Sequence, residues 1–526
     1  MNKSENLSRV PWSILIGSTL FLLAFQWVSR HAGAPVVDFV VDDWRLWHIA
    51  SSCSSLSEAF GQMWNWPDRP LGAGMMMSSY YLLDDNILAY NLLGYFYTAL
   101  YLLAGVGAVY ALSRDWVVAF SYGVIFSVLP NLTESYQWHT MTVSYGLGFA
   151  AYLFTVWFWT RFMETGHWVW LGAATGMFFI ALFSYEIGIL TPAALLVLVP
   201  RSHWRRGLIG IAMLGGIVLA YMAWKFTDGF GTSGTLLFPK RQLDMDVAGF
   251  IWNAKEVIRW WMGSRLLEAI ANGLDGFLSL SRNHMIVLTP VTIIAATASV
   301  LLWKRFGNGV SMETAPVSPV RLMIFGLVWF GVVNVITVLA WPGGRMNYLP
   351  AFGFSLMLAV IARRLLPSTP GIAAIALITL SMYSNQGTAR QWADAGRFNR
   401  ALFDYLSNTR DIWLDKPVIV VDTREVRDRL TPGLLTPPSR DILVWGHYGN
   451  ATLIRGAFVY TMTEIIGDYP GEVMLDMEYG IQRDGDDIVG HGWYNQDVIW
   501  RRPLTEVYWL DLRNVIALFG ERNKHL

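Results

Sequence analysis

The sequence predicts an all-α polytopic membrane protein of about eleven transmembrane helices, followed by a small C-terminal α/β soluble domain. Three observations lead there. Of 526 residues, 54% are hydrophobic and only 15% charged, with mean hydropathy +0.37. Soluble domains carry about 25% charged residues, so the deficit belongs to a chain largely embedded in lipid. Its 26 Trp and 22 Tyr suit membrane–water interfaces. Apolar runs of spanning length recur up to about residue 385 and then stop.

A span needs roughly 20 apolar residues to cross about 30 Å of hydrocarbon. Such runs fall near 11–29, 86–111, 116–130, 141–160, 168–184, 187–200, 207–224, 285–303, 322–341, 347–362 and 370–385. The first is too long for a removed signal peptide and lacks a small-residue cleavage site, so it reads as a retained anchor. With Lys3 and Arg9 placed inside, alternate short loops hold Arg114, then Arg161, then Arg201, Arg205 and Arg206, then Lys304, Arg305 and Arg321, then Arg363 and Arg364. All of these clusters then fall on the cytoplasmic side, as the bias of basic residues requires. An odd number of spans puts the C-terminus outside.

Three hydrophilic regions therefore face outward: loops 30–85 and 225–284, and the tail. The second loop holds a helical pattern. Val247, Phe250, Ile251, Ala254, Val257, Ile258 and Trp261 lie on one side, with Lys255, Glu256, Arg259 and Arg265 on the other. That pattern predicts an amphipathic helix lying in the interface. The tail opens with a polar helix around Gln391–Leu406 and continues past Pro417 with the β-like run Val418–Val421. The expected division is thus a membrane domain, 1–390, and an external domain, 391–526. Zero net charge gives no argument for nucleic acid. A single cysteine, Cys53, excludes a disulfide framework within the chain and reads as a small filler residue.

Asp42 and Asp43 follow the first span, flanked by Val40, Val41 and Trp44. A carboxylate pair at the lip of a bilayer has no packing reason to be there, and serves as a base, a metal ligand or a cation site. The plainer alternative makes Asp43 the N-cap of a short helix. Arg69, in a Pro-Asp-Arg-Pro turn between aromatics, offers a planar fork for phosphate, or else anchors an interfacial turn. Glu134 and His139, in a short outer loop, suit a sugar hydroxyl or lipid phosphate, or are merely solvated. Glu186 interrupts two apolar runs and needs a partner or a polar cavity. Arg345 follows Gly343-Gly344 at the outer end of a span, against the charge bias. The glycines allow a close backbone approach and an anion nest.

Taken in order, these residues resemble the GT-C superfamily of polytopic membrane glycosyltransferases, closest to bacterial members akin to protein O-mannosyltransferases and aminoarabinose transferases. The likeness rests on Asp42-Asp43 and on Arg69-Pro70-Leu71 leading into a span. It continues with Pro130, Glu134 and Trp138, with Ser184-Tyr185-Glu186, and with Arg345, Tyr348, Leu349 and Pro350. Together these cover about 40–390, and the tail beyond about 410 matches nothing recognised. The resemblance implies a GT-C fold in a bacterial cytoplasmic membrane, with the active site facing the periplasm or exterior. It implies transfer of a sugar from a polyprenyl-phosphate or pyrophosphate donor to a glycan, lipid or protein acceptor, with membrane lipid as a further partner. Asp42 is then the base and Asp43 its positioning or binding neighbour. Arg345 and Arg69 hold the donor phosphate, while Glu134, His139, Glu186 and Tyr348 bind substrate. A divalent cation at Asp42/Asp43 is an alternative that the resemblance does not favour, so no cofactor is expected. Competing readings are an O-antigen polymerase or ligase, a lipid-linked sugar transporter or flippase, and a membrane scaffold. The clustering of acids on one face speaks against transport, which places ionisable groups at mid-membrane in symmetric halves.

Overall fold

The computed structural model describes residues 12–39, 43–65, 69–132, 134–224, 247–307, 317–339, 344–365, 371–422, 472–475, 482–491, 498–511 and 515. Helix α1 (Trp12–Arg30) is followed by three short helices, α2 (Asp43–Ser51), α3 (Leu56–Gly61) and α4 (Pro70–Leu83). Ser55 caps α3, accepting the Glu58 amide, and Pro70 begins α4 where a missing N–H costs nothing. Then come α5 (Ile87–Ser113), α6 (Trp116–Val128), a single turn α7 (Glu134–Gln137), α8 (His139–Thr165) and α9 (Trp168–Ser184). Shorter α10 (Thr191–Leu196) leads to α11 (Trp204–Trp224). The second outer region contributes α12 (Val247–Met262) and α13 (Ser264–Leu278). The membrane part closes with α14 (Arg282–Gly307), α15 (Pro319–Leu339), α16 (Pro350–Leu365) and the 38-residue α17 (Gly371–Asn408), before one turn, α18 (Arg410–Trp413).

Among the described residues, five helices are long and apolar enough to cross a membrane: Ile87–Ser113, His139–Thr165, Arg201–Trp224, Arg282–Arg305 and Pro319–Leu339. Shorter apolar helices cover Trp116–Val128, Trp168–Ser184 and Glu186–Leu196. The chain is a multi-pass membrane protein. Lipid tails are as apolar as leucine, so the helices are held by close packing and internal polar contacts. The seam between α13 and α17 illustrates this. At Gly273 and Gly387 a Cβ would collide with the facing backbone, so glycine alone permits the crossing. Beside it Gln391 Nε2 donates to the Asn272 carbonyl at 2.9 Å and Gln386 Nε2 to Thr292 Oγ1 at 2.9 Å.

One local reading differs from the structure. The last apolar run and the polar helix after it are one helix, α17, which runs unbroken past residue 390. On α12, Phe250, Ile251 and Ile258 are exposed while Val257 and Trp261 pack inward, and Glu256 is buried and paired with Arg259 and Arg265. In lipid an apolar face is the solvated one, and charge must find a partner inside.

Beyond Pro417, β1 (Val418–Asp422) lies between β2 (Glu472–Leu475) and β6 (Val507–Asp511), parallel to both. A second sheet pairs β3 (Gln482–Asp484), β4 (Asp487–His491) and β5 (Val498–Pro503) antiparallel in that order. Gly485, at φ +64°, makes the tight β3–β4 turn.

Candidate active site at the α1 C-terminal end

The charged residues separate to two ends of the helix bundle. At one end Arg114 and Arg161 both pair with Glu164, and Arg363 Nε meets Asp115 Oδ2 at 3.0 Å. There Arg206 donates to the Met163 carbonyl, and Arg321 to those of Val197 and Val199. The loops of Arg114, Arg161, Arg206, Arg321 and Arg363, expected on one side of the membrane, thus contact one another in a chain. The other end, where α1 finishes, gathers most of the candidate site residues.

Asp43 opens α2 and is fully buried. Its Oδ1 accepts from Tyr80 Oη at 2.7 Å, from the Thr140 amide at 2.8 Å and from Thr140 Oγ1 at 2.6 Å. Tyr80 belongs to α4 and Thr140 to the first turn of α8, whose own N-cap, Trp138, supplies no side-chain bond. Asp43 therefore caps α8 from a distant segment, at a helix end whose orphan amides and dipole favour negative charge. Asp43 also lies in the first turn of its own helix, α2. Asp42, its sequence neighbour, lies outside the described residues.

The described segment before the aspartates, Val37–Phe39, is held from three sides. Asn91 accepts from the Val37 amide at 3.1 Å and donates to the Val37 carbonyl at 2.9 Å. His139 Nε2 meets that same carbonyl at 2.8 Å, so His139 supports the loop. Phe39 sits among the rings of Trp44, Tyr80, Tyr90 and His139, at 5.2–6.0 Å.

Arg69 and Glu186 meet. Arg69 Nε and Nη2 donate to the two carboxylate oxygens at 2.8 and 2.7 Å, and Nη1 donates to Tyr145 Oη at 2.9 Å. The Tyr185 ring lies 4.4 Å beneath the guanidinium. Glu186 reaches this position because the chain leaves α9 at Tyr185 in an extended conformation and enters a single 3-10 turn. Tyr185 Oη also donates to the sulfur of Met346, which draws the 3-10 turn Gly344–Asn347 up to the pair. The side chains of Arg345 and Glu134 lie outside the described residues, though each backbone belongs to a short helical turn. Tyr348 is buried among Tyr101, Tyr136 and Phe149, at 4.4–5.1 Å, and lines the underside of this end.

The two clusters share helices. Thr140 and Tyr145 lie on α8 with about 7.5 Å of rise between them, and Arg69 caps α4, within which Tyr80 lies. Asp43, Arg69, Glu186 and the turn bearing Arg345 thus converge on one end, as the ordered motifs imply. Among the described residues no group of three His, Cys, Asp or Glu comes together to hold a metal.

Several residues here were not anticipated. Tyr80, Thr140 and Tyr145 gave no local signal, being ordinary in apolar helices. Arg30 is buried under the Tyr136 ring at 4.0 Å and donates to the Phe126 carbonyl at 2.6 Å. Asp38 accepts two bonds from Arg400, at 3.1 and 2.9 Å. Arg400 lies in the polar helix noted after the last span, and an arginine on such a helix reads as solvated.

No family model matches the chain, and no curated protein does. Among solved structures it is similar to crystal structures of ArnT from Cupriavidus metallidurans, one bound to undecaprenyl phosphate and one in the apo state. In each case the identity is 14%, the likeness covers 77% of this chain and 82% of that one, and the TM-score is 0.35. At that identity and score the likeness decides neither fold nor chemistry.

Proposed function

We propose that the chain is a membrane glycosyltransferase with a GT-C-like fold of about eleven spans. It moves a hexosyl or pentosyl group from a polyprenyl-phosphate or pyrophosphate donor to a glycan, lipid or protein acceptor. The observation that carries this reading is the convergence of buried, helix-tied Asp43 with the Arg69–Glu186 pair and the turn of Arg345. Asp43 is enclosed by Tyr80 and Thr140 and so is placed to position its neighbour. Asp42 is the general base. It takes the acceptor hydroxyl proton as the new O–C1 bond forms and the C1–O bond to the donor's phosphate breaks, releasing polyprenyl phosphate, or polyprenyl pyrophosphate from a pyrophosphate donor. One such displacement inverts the sugar carbon. Arg345 binds the donor phosphate. Arg69 acts beside it as half of a pair, because its fork is engaged by Glu186. The basic end faces the cytoplasm, so the site and the tail face the periplasm or exterior.

Purified protein incubated with labelled polyprenyl-phosphate sugars should consume one of them. Asp42→Asn should lower turnover about 10²–10⁴-fold while donor binding persists, and Arg345→Ala should weaken donor binding. No consumption of any such donor, or near wild-type turnover in Asp42→Asn, overturns the reading.

A further inference from the structure

We infer that Arg400 is a positioning residue that fixes the segment carrying the aspartate pair, an inference that rests on the reading above. One face of α17 grips that segment at three successive points. At Gly396 the helix backbone lies against residue 38 so closely that a Cβ would come 2.8 Å from the Asp38 carbonyl oxygen and 2.9 Å from its amide nitrogen. At Arg400 the guanidinium donates from Nε and Nη2 to the Asp38 carboxylate, at 3.1 and 2.9 Å. It also lies over the Trp44 ring at 4.7 Å and the Phe39 ring at 5.8 Å. At Phe403 the ring stacks on Trp44, with centroids 4.9 Å apart. Residues 396, 400 and 403 are spaced by four and three, so they share one helical face.

The gripped residues, Asp38, Phe39 and Trp44, bracket Asp42 and Asp43 in sequence. Asp38 also accepts from the Phe39 amide at 2.7 Å, which stiffens the segment where Arg400 holds it. Asn91 and His139 fix Val37, and Thr140 and Tyr80 fix Asp43. Arg400 supplies the tie to the helix that leads into the tail. The bidentate geometry makes it specific: a lysine keeps the charge but neither the fork nor the flat stack on Trp44.

The test pairs kinetics with a readout independent of activity. Arg400→Gln should lower kcat about 10²-fold, the scale of a displacement of about 1 Å in the reacting geometry, with donor KM within about twofold of wild type. Arg400→Lys should fall between. Asp38→Arg combined with Arg400→Asp should recover at least about tenfold over Asp38→Arg alone, the coupling expected of a direct pair. Amide hydrogen exchange in peptides covering Val37–Phe39 and Trp44–His48 should be at least about tenfold faster in Arg400→Gln. Unchanged exchange there, or wild-type kcat in Arg400→Gln, overturns the inference. So does joint loss of donor binding and turnover in both Arg400→Lys and the swapped pair, which would make Arg400 a prop for the whole fold. If the wild-type protein transfers no sugar, the proposed function fails, while the exchange measurement still decides whether Arg400 holds the segment.

Discussion

Both ends of the bundle pair charges across remote segments, but they differ in what encloses those charges. At the basic end, arginines finish helices: Arg206 and Arg321 take carbonyls that helix ends leave open, and Asp115 caps α6 through the Val117 amide at 2.8 Å while it pairs with Arg363. At the α1 end, charges are enclosed by aromatic rings and tied to side chains of remote segments: Asp43 to Tyr80 and Thr140, Arg69 to Glu186, Asp38 to Arg400. Charges that only satisfied the backbone would need no such enclosure. Ion pairs buried in this way are poor stabilisers, because desolvation offsets the attraction. Ringed by aromatic side chains and gathered around Asp43, the pairs of the α1 end are better explained by a task that needs fixed charges.

The strongest way to break this contrast is Asp42→Asn, whose expected loss of about 10²–10⁴ in turnover has no counterpart at the basic end. Next comes Arg69→Met, which strands Glu186 in a partly buried setting and should destabilise the protein by about 3 kcal/mol, read as a lower melting midpoint in detergent. Adding Glu186→Leu should restore much of that stability and leave turnover low. If stability and turnover recover together, the pair is a structural strut and the contrast between the ends weakens.

The two ends also differ in how far sequence reveals them. The basic end is legible because cationic clusters sit beside apolar runs, and both signals are local. The span positions are legible for the same reason, since hydrocarbon demands long apolar stretches. The residues of α4 fall in the outer region 30–85, and at 14 residues the helix is too short to show as a span. The continuity of α17 is not legible because the apolar run stops near 385 and polar residues follow, while Gly387, inside the helix, permits a close helix crossing. The aspartate pair stood out as a local anomaly. Its supports did not, because Thr140 lies 97 positions from Asp43, and Arg400 lies 362 from Asp38. Each of these partners has an unremarkable local context, and only the fold pairs them.

A smaller effect sharpens the contrast from the other side. Arg363→Met removes the partner of Asp115, which is almost fully buried. Asp115 keeps its amides of Val117 and Val118, so the cap survives the loss. The expected cost is about 1–3 kcal/mol, the range for leaving a buried polar group short of a partner. Turnover per folded molecule should be unchanged, measured on protein quantified by its folded fraction. A loss of kcat at constant folded fraction would show that the basic end also contributes to the chemistry.

The smallest effect concerns the junction of tail and bundle. Tyr508, on β6, lies beside Tyr405 and Thr409 at the end of α17, and burial next to Tyr405 pushes its hydroxyl up to about 12. The sign follows from that direction. The folded state holds the phenolic proton more tightly than the unfolded chain, whose tyrosines titrate near 10. The contribution is therefore full below about pH 10 and is lost as pH rises toward 12. Tyr508 is partly exposed, so solvent screens the contact and the energy is small. The β6 strand should thus loosen from α17 on the alkaline side before the transmembrane helices unfold. Hydrogen exchange in the peptide Val507–Asp511, compared between neutral pH and about pH 11 after correction for the intrinsic rate, should show the loosening. Tyr508→Phe should remove this alkaline step and leave turnover at neutral pH unchanged. A Tyr508→Phe protein that still loosens between pH 10 and 12 would place the titrating group elsewhere and leave the junction held by packing alone.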